Sequence, residues 1–265
     1  MWGANLCWLK ARRSARTKSR SLEYFCLYNS NRILLIKLLF IFWLMSDKKN
    51  LQDAYNQIAQ EFSATRAYPW QELSVFIPYL KNGGKVLDLG CGNGRLIKVL
   101  EDSQMPYEYL GVDFSEQLIQ AAKKNHPKHN FVVADMRDLD YPEASFDFVF
   151  LVAAFHHLET KADRQAMLDN IYYWLKPNGY LFMTNWNLLQ KKYLKCFFKN
   201  IFEKKSWNDV FVPYKLPNSN RRYERYYHSF TVGELEGLLQ VANFSLQPKG
   251  VYKTRFNINC LVKKT

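Results

Sequence analysis

The chain has 265 residues, enough for one substantial domain with a large core, and its 48% apolar share is ordinary for a globular protein. Of the net charge of +13, +7 falls within residues 1–44, which leaves +6 for 45–265, so the body is moderately basic and not a charge-driven polycation. The body's cysteines, Cys91, Cys196 and Cys260, are isolated and lack metal-ligand spacing, which points away from a metal centre and toward a reducing compartment.

Residues 1–44 read as a different kind of sequence. Scattered Arg and Ser precede the apolar run 33–44, interrupted by Lys37. Twelve residues fall short of the ~20 that a spanning helix needs. The basic stretch resembles a secretory n-region, but no small-residue cleavage site follows. Instead Met45-Ser46-Asp47-Lys48 has the look of a soluble amino terminus. Two explanations stand: a translation start placed too far upstream, or a membrane-associating extension. Either way the expected domain is 45–265, and a membrane is a partner only if 1–44 is a true part of the protein.

From Asn50 the pattern is continuous. Leu51, Ala54, Tyr55, Ile58, Ala59 and Phe62 mark one face of a helix. Pro69 is expected to start a second helix toward Leu80, which Asn82-Gly83-Gly84 breaks. Lys85-Val86-Leu87-Asp88-Leu89 then makes a buried strand ending in Gly90-Cys91-Gly92-Asn93-Gly94, with a helix from Leu96. The glycine spacing is G-x-G-x-G with an acid two residues ahead, whereas the dinucleotide fingerprint is G-x-G-x-x-G. The motif therefore fits S-adenosylmethionine better than NAD. On this reading the loop amides of 90–94 and the helix start hold the cofactor's carboxylate, and Asp88 answers its ammonium group.

Two more strands end in acids. Asp113 closes 109–113 and is placed to accept two ribose hydroxyls, with Phe114 beside it and Ser115 as the N-cap of the next helix. Asp135 follows 130–134 and is expected to accept the adenine amino group, while Met136 packs on the ring. The strand 146–152 brings Val152 to the same edge. Three acids in register after successive strands of an alternating β-α pattern make one nucleoside site at the carboxyl edge of a parallel sheet.

Beyond His156 and His157 come a helix over 161–175, a strand over 180–184 ending at Asn185 and Trp186, an insertion over 188–228, and a helix from Val232 with Thr231 and Glu234 as a capping box. Residues 244–248 and 255–262 form a terminal hairpin. The fold class is thus α/β, Rossmann-like, a seven-stranded mostly parallel sheet flanked by helices, its last strands an antiparallel hairpin. The insertion interleaves Lys191, Lys192, Lys195, Lys199, Lys204 and Lys205 with Tyr193, Phe197, Phe198, Phe202 and Trp207. That pattern suits a splayed RNA loop, where phosphates meet cations and unstacked bases meet rings. It equally suits a helix with its Phe face in the core, or a basic helix on a membrane.

The segments Ala54-Tyr55-Asn56-Gln57-Ile58-Ala59, Thr65-Arg66, Gly90-Cys91-Gly92-Asn93-Gly94, Phe155-His156-His157-Leu158 and Arg225-Tyr226-Tyr227-His228 together resemble the tRNA wobble-uridine carboxymethyl methyltransferases, the fungal enzyme and the domain fused to an AlkB-type dioxygenase in animals. The resemblance covers about residues 50–250. It implies methyl esterification of 5-carboxymethyluridine in the tRNA anticodon loop and, in eukaryotes, a small zinc-ribbon activator subunit. The expected location is cytoplasmic, in keeping with the isolated cysteines.

A carboxylate is already an anion at neutral pH, so its methylation needs alignment and charge control but no general base. Arg66 is the candidate clamp for that carboxylate or for a phosphate. One of His156 and His157 orients substrate, Asn185 and Trp186 stack on or hydrogen-bond the base, and Tyr226 and His228 close the pocket from above. The alternatives are a small-molecule or quinone-type lipid methyltransferase, and a binding module that has lost its cofactor.

Overall fold

The computed structural model describes residues 51–59, 63, 71–80, 83–197, 206–215 and 222–265. Residues 1–44 and Arg66 lie outside them.

Seven strands form one sheet in the order β3-β2-β1-β4-β5-β9-β8. These are β1 (Gly84–Leu89), β2 (Tyr107–Asp113), β3 (Asn130–Val133), β4 (Phe146–Val152), β5 (Leu175–Trp186), β8 (Phe244–Lys253) and β9 (Asn257–Lys264). β1 to β5 pair in parallel, and β9 runs antiparallel between β5 and β8. The expected architecture is therefore the observed one, with β9 as the reversed strand.

The strands alternate their apolar residues between two cores. Leu87 and Leu89 of β1 face α4 (Lys161–Trp174) and α5 (Val232–Val241), whereas Val86 faces the opposite layer, with α2 (Leu96–Asp102) and α3 (Glu116–Asn125). Because both faces are covered, the central strands read as unbroken apolar runs. Both N-caps form: the Ser115 hydroxyl accepts from Leu118 N–H and the Thr231 hydroxyl from Glu234 N–H, each worth about 1 kcal/mol. The return half of the expected capping box is absent, because Glu234 Oε1 accepts from His228 and its Oε2 has no partner. Helix α1 covers 51–59 and buries Ala54, Tyr55, Ile58 and Ala59, the face its periodicity gives.

Several elements differ from the expectation. The segment after Pro69 is a 3-10 helix, Gln71–Tyr79, with Pro78 inside it. β5 starts at Leu175 and not at Tyr180, and its register shifts between Phe146 and Phe148 of β4, with Asn178 at φ 68°. In the last hairpin the first strand is longer, since a register shift between Leu246 and Val251 absorbs Pro248 and lets β8 continue to Lys253, and the second lies two residues further on, at Asn257–Lys264. Within the insertion, β6 (Asp209–Lys215) and β7 (Arg222–His228) form a separate two-stranded antiparallel ribbon that periodicity did not reveal.

Candidate active site

An open cleft of about 960 Å³, solvent at its mouth included, lies across the carboxyl ends of β1 to β4, where strand order reverses on either side of β1. One end is bounded by Gly92, Asp113, Phe114, Ala134 and Met136, the other by His156, His157, Trp186 and Tyr227. Helix α1 crosses it. Leu51 and Tyr55 line it, Gln52 Nε2 donates to the Phe114 carbonyl at 2.6 Å, and Ser115 Oγ donates to Asn56 Oδ1 at 2.7 Å.

At the first end the loop amides are already engaged. Gly90 N–H and Cys91 N–H both donate to the Val112 carbonyl, at 2.7 and 3.0 Å, and Gly94 N–H donates to Cys91 at 3.0 Å. Gly92 N–H donates to Asp113 Oδ2 at 2.9 Å. Of the amides expected to hold a carboxylate, those of Gly90, Cys91, Gly92 and Gly94 are thus satisfied within the turn itself. The side chains of Asn93 and Arg95 lie at this part of the cleft.

The glycines serve packing. A Cβ on Gly90 would stand 2.4 Å from that of Ala154, and one on Gly94 would meet the His126 ring at 2.9 Å. Gly94 and Cys91 are not cleft residues, since Cys91 is buried under the loop against Gly111.

Asp88 also departs from its expected place. Strand alternation puts it on the Val86 face, where its Oδ2 accepts from the Tyr109 hydroxyl at 2.8 Å and its Oδ1 has no partner. It does not line the cleft. Burial pushes its pKa up to about 7, against the Tyr109 hydrogen bond.

Asp113 does line the cleft. Its Oδ1 accepts from Ser115 N–H at 2.8 Å and its Oδ2 from Gly92 N–H, which aims the carboxylate and leaves a lone pair on each oxygen. Burial raises its pKa to about 6, with the two N–H donors opposing. Asp135 is held differently: its carboxylate is bidentate with the Arg137 guanidinium and also accepts Arg137 N–H. Met136, Phe114 and Leu118 add an apolar slot, and Val152 lines the floor. A nucleoside-bearing cofactor fits this set, with an aimed diol acceptor beside a flat apolar wall.

The second end is built around the 3-10 turn Phe155–His157. Ala153, at φ 57°, turns the chain out of β4, and its N–H is shared between the Thr184 carbonyl at 2.9 Å and the Thr184 hydroxyl at 3.2 Å. A non-glycine residue in that conformation is strained, and such strain collects at functional sites.

The two histidines are not equivalent. His157 Nδ1 donates to the Tyr226 carbonyl at 2.8 Å and its Nε2 accepts from the Tyr55 hydroxyl at 3.0 Å, so both nitrogens are engaged. Burial lowers its pKa to about 4. His156 Nδ1 accepts from Trp186 N–H at 3.2 Å, which leaves the proton on Nε2, a buried donor with no partner. Burial, chiefly, holds its pKa well below the ordinary value.

Trp186 stacks on Tyr227 with centroids 5.0 Å apart. Asn185, expected beside it, is fully buried and outside the cleft, because it occupies the opposite face of β5. Tyr226 and His228 are likewise turned away. Tyr226 donates to Asp209 at 2.6 Å, and His228 joins Asp209 at 2.8 Å and Glu234 at 2.8 Å, tying β7 to β6 and to α5. They are corrected from pocket-closing residues to a structural clamp. Against burial, these two hydrogen bonds raise the His228 pKa. Tyr227 faces the cleft in their stead, as does Tyr55; both stood in the sequence segments above, without a signal for their direction.

Residues 87–183 match the model of a methyltransferase domain. A tRNA (carboxymethyluridine(34)-5-O)-methyltransferase of Saccharomyces cerevisiae is 30% identical over 176 residues, 66% of this chain and 60% of that protein. A protein of the same description from Schizosaccharomyces pombe is 29% identical over 222 residues, 77% of this chain and 92% of its own. Among solved structures, a SAM-dependent methyltransferase from Methanosarcina mazei superposes with a TM-score of 0.62 at 23% identity, over 72% of this chain and 96% of that one. The sheet order, the cleft at its switch point and the matched domain make this chain a class I S-adenosylmethionine-dependent methyltransferase.

Proposed function

We propose that the protein methylates the carboxylate of a 5-carboxymethyl-type uridine at the wobble position of tRNA, giving the methyl ester. The observation that carries this is the 222-residue match to the Schizosaccharomyces pombe protein, which runs well beyond the methyltransferase domain at 87–183 and takes in nearly all of that relative. The cofactor supplies a methyl group on a positively charged sulfur. The chain's own residues do the rest.

Asp113 receives the ribose hydroxyls on its two remaining lone pairs, and Met136 and Phe114 enclose the base. Arg95 offers positive charge to the cofactor's carboxylate. At the acceptor end His156 and His157 are both kept neutral, so the site offers a hydrogen-bond donor but no strong base. That suits an acceptor that is already ionised. His156 Nε2–H is the donor to one of its oxygens, and the stacked Trp186 and Tyr227 rings provide the surface for a splayed pyrimidine. Arg66 is a further candidate contact, outside the described residues, as are Lys199, Lys204 and Lys205 of the basic stretch. A zinc-ribbon activator subunit and a cytoplasmic location go with this reading. Among the described residues no helix is long and apolar enough to cross a membrane.

The test is to incubate the protein with methyl-labelled cofactor and, separately, bulk tRNA or a small-molecule and lipid extract. Label on a single modified uridine after nucleoside digestion supports the reading. Label in the extract alone contradicts it and favours a small-molecule methyltransferase.

A further inference from the structure

Three rings of the acceptor end, Tyr55, Trp186 and Tyr227, share a neighbour that is not itself a lining residue of the cleft. The Arg225 guanidinium lies 5.0 Å from the Tyr214 ring centroid, 5.4 Å from Tyr227, 5.8 Å from Trp186 and 5.9 Å from Tyr55. Arg225 is 5% exposed, and its Nε–H has no hydrogen-bond partner. Among the described residues no carboxylate forms an ion pair with it.

A cation taken out of water is costly unless an anion or ring faces compensate it. Ring faces and a hydrogen bond to Tyr55 surround this one, with no counter-ion among the described residues. The contrast with its own strand is informative: on the other face of β7, His228 meets two carboxylates, Glu234 and the Asp209 that it shares with Tyr226. The fold therefore has acids within reach of β7 and gives them to the residue that faces away from the cleft.

The second unpartnered donor, His156 Nε2–H, borders the same two rings, with centroids 4.9 Å from Tyr227 and 5.9 Å from Trp186. One charged and one neutral N–H without partners, behind and beside a single aromatic wall, describe a receptor for a two-oxygen anion. A neutral acceptor would meet the hydrogen-bonding need and leave the charge without a counter-ion. We propose that Arg225 is the specificity-determining residue of the acceptor end, selecting a carboxylate over a neutral group of the same shape. This rests on the reading of the substrate as a carboxylated uridine.

The experiment compares two anticodon stem-loop RNAs, one with 5-carboxymethyluridine and one with its neutral amide, 5-carbamoylmethyluridine, at the wobble position. Binding to the full chain is measured with S-adenosylhomocysteine present. The wild type is expected to prefer the acid RNA by about tenfold or more, the worth of a charge-assisted contact. Arg225→Gln is expected to bring the two affinities together by weakening the acid RNA alone, with S-adenosylhomocysteine affinity unchanged. Arg225→Lys, which keeps the charge, is expected to keep the preference, and it decides the matter if the glutamine variant fails to fold. A preference that survives Arg225→Gln, an equal loss on both RNAs, or a lysine variant that binds both alike overturns the inference. So does a wild type that binds both RNAs equally, although the tRNA reading then stands. A wild type that binds neither overturns the substrate reading and this inference with it.

Discussion

The two ends of the cleft are made by different devices. The cofactor end is backbone work: a glycine turn satisfied by Val112 and Asp113, an acid aimed by two N–H groups, and residues close in sequence to strand ends. The acceptor end is side-chain work. His156, Trp186, Tyr227 and Arg225 come from three distant segments, and the direction of each depends on tertiary pairing. Local constructions leave a local signature, whereas an aromatic box assembled from three segments leaves none.

The sharpest way to break the comparison is at Asp113. Asp113→Ala should lower cofactor affinity at least tenfold by calorimetry, because a charged acceptor contributes about 1.5–3 kcal/mol to each hydrogen bond. The same substitution should leave RNA binding nearly untouched. Unchanged cofactor affinity would mean that the ribose is elsewhere.

The converse substitution is His156→Ala, which should cut methyl transfer by about tenfold to a hundredfold with cofactor affinity preserved. A fall in both would dissolve the division between the two ends.

Legibility follows the same division. The positions of Asp113 and Met136 at the cleft, the glycine turn and the caps at Ser115 and Thr231 are legible because each is set within a few residues. Asp88 could not be placed, since a strand buried on both faces does not reveal which face meets the cofactor. The sequence points to Tyr226 and His228, and not to Arg225 and Tyr227, for a related reason. A strand's alternation is plain, but its phase is fixed by pairing, here Val210 with Tyr227 and Val212 with Arg225.

His228 sharpens this point. His228→Gln should lower the melting temperature by roughly 5 °C while sparing cofactor binding. Its raised pKa contributes stability that is fully present below 6.5 and lost as pH rises through the higher folded value. Glu234, held below its usual 4.5 by the same hydrogen bond against burial, contributes above 4.5 and loses its share at lower pH. The difference between wild type and variant should therefore be largest between those two limits and shrink at alkaline pH, a profile that thermal melts across pH would read.

A smaller effect of opposite sign is expected at Asp88. Its folded pKa of about 7 exceeds the ordinary 3.8, so its ionisation costs stability increasingly as pH rises between those values. Asp88→Asn should melt a few degrees (~2–4 °C) higher than wild type at pH 8 and equal to it near pH 4. Smallest of all should be truncation to Met45. It is expected to leave the melting temperature and methyl transfer unchanged, and a large drop in either would make residues 1–44 part of the working protein.

The most direct measurement concerns the bond that is formed. Transfer RNA labelled by the protein from methyl-labelled cofactor should release its label as methanol on mild alkaline treatment, because an ester hydrolyses there while a methylated ring nitrogen or amine does not. Retention of the label on the tRNA through that treatment would contradict the account.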